Sequence, residues 1–146
     1  MLPGAVGSLF PPGRKSPDMD SVTLGVPEPI LDSLPEGSEN VEQDMKRAVE
    51  GIQSRLNRAI DEADDEEEAA GHVVDQLERL EAHLERYDEF VPELRAWGQS
   101  PIYAIAWRNL QADLIAQLYE HDWLATRIDR ERNYRAVEDG IRFGGR

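Results

Sequence analysis

The chain of 146 residues has no cysteine, three histidines and only two lysines, Lys15 and Lys46, against 14 arginines. Without cysteine there is no disulfide framework, zinc knuckle, iron–sulfur cluster or thiol nucleophile, so stability has to come from a core or from partners. The histidines His72, His83 and His121 have Ala69, Leu80 and Leu118 three residues before them. A di-iron helical bundle needs Glu at that offset. HExxH, P-loop and GxGxxG patterns are also missing. No catalytic residue, metal ligand or cofactor is therefore expected, and the chain reads as non-enzymatic.

A long apolar run is missing too. The most apolar stretch, Ile102 to Tyr119, is interrupted by Arg108, Asn109, Gln111, Asp113 and Gln117, so it reads as core helix and no membrane partner is expected. The opening MLPGAVGSLFPPGRK lacks a basic start and is broken by Pro3, Pro11 and Pro12, so no secretion signal is read. The expected location is the cytoplasm or the interior of a virus particle.

What the chain has in excess is acid. The 30 Asp and Glu outnumber the 16 Lys and Arg, for a net charge of −14. Such a field repels phosphate backbones, which disfavours nucleic acid as a partner. An acidic surface with arginine in place of lysine suits a host rich in salt, where a Debye length of about 3 Å at 1 M screens self-repulsion. The charge is uneven. It runs −3, −7, −4 and 0 over residues 1–38, 39–70, 71–100 and 101–146. Nine of the ten aromatics lie between Tyr87 and Phe143, which points to the densest core or interface in the C-terminal third.

Seven of the nine prolines fall in the first 35 residues. Residues 1–37 are accordingly an extended, non-helical N-terminal arm. A disordered tail is poor in large apolar residues, yet this one carries Leu9, Phe10, Val22, Leu24, Val26, Ile30, Leu31 and Leu34, which mark it as a docking arm. Val22, Leu24 and Val26 alternate with the strand period and suit a neighbour's sheet edge; Ile30, Leu31 and Leu34 suit one helical turn.

Residues 38–140 read as a helical domain. Asn40 is a candidate N-cap with Gln43 three residues on. Met45, Val49, Ile52, Leu56, Ala59 and Ala63 step by 4, 3, 4, 3, 4, and Val73, Leu77, Leu80, Leu84, Tyr87, Val91 and Leu94 repeat the pattern in phase. Such a seam suits a coiled coil. Two structures share it: one helix over residues 40–91, about 78 Å long, or a hairpin whose tip is the acidic Asp61–Glu68 run with Gly71. Pro92 is expected to end or kink the second run. Ser100 and Pro101 then open a helix with Trp107, Leu110, Leu114 and Leu118 on one face, and Trp123 belongs to a final helix ending near Asp139. Residues 141–146 are a short tail.

The fold class is thus all-α: a long heptad-patterned helix or helical hairpin, further C-terminal helices and an extended arm. Trp107, Leu110, Leu114, Leu118 and Trp123 are the expected helix interface, and Arg127, Arg130, Arg132 and Arg135 an expected charged contact. Together these describe a structural or assembly protein of a larger complex, homo-oligomeric or held by other protein partners, from a halophilic organism or its virus. A head–tail connector or another small virion component of a tailed virus is an example. The alternative is a coiled-coil regulatory or nucleic-acid-associated protein using the C-terminal arginines.

Overall fold

A computed structural model of the chain describes residues 21–139, apart from the side chains of Asp122 and Trp123. Five helices and no strand occur among the described residues: α1 (Glu28–Asp32), α2 (Glu39–Glu62), α3 (Glu66–Ala96), α4 (Ile102–Tyr119) and α5 (Asp122–Asp139). The fold is all-helical.

The acidic run breaks the heptad seam in two. Ala63 leaves the helix with φ −69° and ψ 142°, and Asp65 starts the next one by accepting the Glu68 amide at 2.8 Å. Glu68 returns the favour, its carboxylate accepting the Asp64 amide at 3.1 Å. This is a capping box displaced by one residue. It leaves Glu66, Glu67 and Glu68 in the first turn, at the end of the helix dipole that favours acids. The hairpin tip is therefore Ala63–Asp65. Gly71 lies inside α3 instead, where the Arg135 guanidinium donates to its carbonyl at 3.2 Å.

Pro92 does not end α3, which continues to Ala96. The closure is a Schellman motif: Gln99 N–H bonds the Leu94 carbonyl at 2.8 Å and Gly98 N–H the Arg95 carbonyl at 3.0 Å. Gly98 has φ 76°, the left-handed conformation this motif requires and glycine adopts freely. α4 opens one residue later than the sequence suggests, with the Ser100 hydroxyl accepting the Ile102 amide at 3.4 Å. α2 opens at Glu39, ahead of Asn40, and the preceding Ser38 is turned inward to the Tyr103 hydroxyl at 2.9 Å.

The core is shared by all parts of the described chain. Met45, Val49, Leu56 and Ile60 come from α2; Val73, Val74, Leu77 and Leu80 from α3; Leu110, Leu114 and Leu118 from α4; Leu124 and Ile128 from α5. α3 touches α2, α4 and α5, so the densest packing centres on its first half, not on the C-terminal third alone. Each fully buried Leu or Ile contributes about 1.5–3 kcal/mol of transfer free energy.

Residues 21–27 are extended and lie on the helices of their own chain. Val22 and Leu24 are buried, Val26 half-buried. No sheet edge occurs among the described residues, and side-chain amides take its place. Asn57 accepts the Val22 amide at 2.7 Å and donates to the Val22 carbonyl at 3.0 Å; Gln117 does the same for Gly25 at 3.0 and 2.9 Å; Gln53 accepts the Leu24 amide at 2.7 Å. These bonds answer the demand that backbone polar groups near a core find partners. α1 then caps the segment with Ile30 buried and Leu31 and Leu34 half-buried.

Candidate protein-docking groove

The two halves of α3 are covered very differently. From Ala69 to Leu80 the inward positions are 0–8% exposed, whereas no residue from Glu81 to Ala96 is fully buried. In this distal half α2, α3 and α4 part to leave an open groove of about 820 Å³.

Its floor is apolar: Ile52 from α2, Tyr87 and Phe90 from α3, and Trp107 from α4. On α2, Arg47, Ala48, Gly51 and Arg55 share the same face as Ile52 by steps of three and four. On α3, His83, Arg86, Glu89 and Glu93 flank the aromatic pair. Phe90 is 40% exposed, and beyond the groove Trp97 is 66% exposed. Burial raises the Tyr87 phenol above its usual value, since desolvation penalises the phenolate.

The polar groups around the floor are incompletely satisfied. Arg47 reaches Asp44 at 3.6 Å, but Arg55 and Arg86 form no ion pair among the described residues. Gln111, only 7% exposed, lines the groove, and its side chain makes no hydrogen bond among the described residues. An apolar floor with convergent polar groups is the ordinary anatomy of a recognition site.

A second arginine cluster contrasts with the first. Along the α3–α5 seam, Arg127 bonds Glu66, Arg132 bonds Glu81 at 2.8 Å, and Arg135 bonds Glu131 at 2.8 Å, Asp75 at 3.0 Å and Glu78 at 3.3 Å. Burial would pull the Arg135 guanidinium down, yet bonds to Glu131 and Asp75 and the charges of Asp75 and Glu78 leave it above its ordinary value. Arg132 likewise is lowered by burial and raised further by Glu81.

The chain belongs to a family of unknown function (DUF7971). The family model matches residues 19–145, which takes in the extended segment, the groove and the arginine seam together. No curated protein and no solved structure matches the chain.

The residues singled out in the sequence fall in three places. Val22, Leu24, Val26, Ile30, Leu31 and Leu34 pack within their own chain, while Leu9 and Phe10 lie outside the described residues. Leu110, Leu114 and Leu118 are buried in the core, Trp107 is half-buried at the groove floor, and the Trp123 side chain is outside the description. Arg127, Arg132 and Arg135 join the seam; Arg130 is exposed beside Tyr134 above a smaller hollow. Sequence reasoning missed Arg55, Arg86, Phe90 and Trp97. The signal for Phe90 and Trp97 was present: His83, Tyr87, Phe90, Leu94 and Trp97 step by 4, 3, 4, 3, a second heptad stripe beside the one leading to the core. Among the described residues no group of His, Asp or Glu could hold a metal ion, and no helix is long and apolar enough to cross a membrane.

Proposed function

We propose that the chain is a non-enzymatic assembly protein that acts by holding a neighbouring protein subunit against the distal half of α3. The observation that supports this best is the row of exposed or half-exposed aromatics there, Tyr87, Phe90 and Trp97, beside an open apolar-floored groove. Solvent-exposed aromatics of this density are enriched where proteins meet proteins.

The acidic, arginine-rich composition fits a salt-rich host, and a small virion component such as a head–tail connector of a halophilic tailed virus suits the architecture by analogy. Cytoplasm or virus particle is the corresponding location. Nucleic acid has less to hold on the C-terminal arginines, because Arg127, Arg132 and Arg135 already face carboxylates of the same chain.

A photocrosslinking amino acid placed at Trp97 in the producing cells tests this. A covalent adduct with a protein chain is expected, with none from the same probe at exposed Arg79. The absence of any adduct from Trp97, or equal labelling from both positions, contradicts the proposal.

A further inference from the structure

We infer that the occupant of the groove is a second copy of this chain, the distal halves of two α3 helices packing antiparallel about Phe90 on a two-fold axis. The inference rests on the contact function proposed above and names its partner.

The stripe His83, Tyr87, Phe90, Leu94 and Trp97 has the seam spacing of a helix pair. On its flank, Arg86 and Glu93 stand seven residues apart, one on each side of Phe90, and both line the groove. Turning a second α3 end for end about the point between Glu89 and Phe90 sets Arg86 of each copy beside Glu93 of the other. A parallel pairing would instead put the two copies of Arg86 on opposite sides of the seam, each away from the partner's Glu93, so this charge pair forms only when the helices run antiparallel. The antiparallel orientation thus makes the patch complementary to itself, as an isologous two-fold interface requires.

The remaining groups agree. Arg86 and Arg55 make no ion pair within the chain among the described residues, although acids outnumber bases 30 to 16. An arriving α3 carries Glu89 and Glu93 on its groove-lining flank and so supplies carboxylates to these arginines. Its side chains bring polar atoms to the side-chain amide of Gln111, which lines the groove. Phe90 and Trp97 gain the burial that the single chain does not give them.

Light scattering of the full chain in molar salt, across a concentration series, reads the result. The wild type is expected at twice the mass of one chain. Arg86→Glu alone and Glu93→Arg alone each weaken association by about tenfold or more, since each spoils two symmetric contacts. The double reversal, Arg86→Glu with Glu93→Arg, restores dimerisation, with helicity by circular dichroism unchanged throughout because both side chains are exposed. A wild type that is monomeric at every concentration, or a double variant no better than the singles, overturns the inference. The crosslinking probe at Phe90 separates the two proposals. An adduct of the chain with itself supports both, an adduct only with a different protein overturns the dimer and leaves the contact function standing, and no adduct overturns both.

Discussion

α3 is one helix with two environments. Its first half, Ala69 to Leu80, is sealed by α2, α4 and α5 and bolted to α5 by arginine–carboxylate pairs; its second half presents Tyr87, Phe90 and Leu94 to an open groove and solvent. The two halves carry the same heptad spacing and similar apolar content. What differs is cover: α5 closes over the first half, whereas α2 and α4 only flank the second and leave the groove open. A pattern sufficient to make a core has thus been left incomplete over about four turns of helix, and the simplest use of such a face is contact.

Substitutions along α3 should expose the asymmetry most strongly. Leu77→Ala, at a fully buried position, should cost about 2–5 kcal/mol by transfer and cavity formation. Phe90→Ala, on the half-exposed face, should cost less than about 1 kcal/mol in the isolated chain, both read by urea denaturation under conditions that keep the chain monomeric. Equal losses would mean the distal half is as well packed as the proximal half.

The next effect concerns the extended segment, which closes the far side of the same core. Asn57→Ala strips both partners from the Val22 backbone and should destabilise by about 1–3 kcal/mol, with faster amide exchange at Val22 than at Leu77. Unchanged stability would show that apolar burial of Val22 and Leu24 alone fastens the segment. Asp65→Ala removes the cap that divides α2 from α3 and should cost about 1 kcal/mol, measured by thermal unfolding. A gain in helicity on that change would show that the break is imposed by the cap alone.

The smallest effect belongs to the seam. Arg135→Gln removes bonds to partners that are themselves half-exposed, Asp75 and Glu78, so the loss should stay below about 1 kcal/mol and shrink as salt is added. A large, salt-insensitive loss would place the seam among the fold's main supports.

The all-helical class and the apolar residues of α2 and α3 were legible in the sequence, because periodicity reports directly which positions want burial. That Val22 and Leu24 want burial was legible too, but the sequence assigned it to a neighbour, whereas they pack on their own chain. The hairpin was harder to read. Met45 to Leu94 stays in phase across the tip, so spacing could not separate one helix from two, although Asp65 followed by Glu68 was a capping signal in plain view. That Val22 would be held by Asn57 and Gln53 was not legible, since amide side chains on a helix carry no periodic mark. Nor was the groove: whether Phe90 and Trp107 are covered depends on how far α2 and α4 diverge from α3, a property of packing between elements.

Hydrogen exchange of the distal α3 amides, residues 83–96, followed from dilute to concentrated protein in molar salt, tests the contact face most directly. Protection rising there with concentration, while residues 69–80 stay protected throughout, is the predicted result. Equal and unchanging protection along the whole of α3 would contradict it.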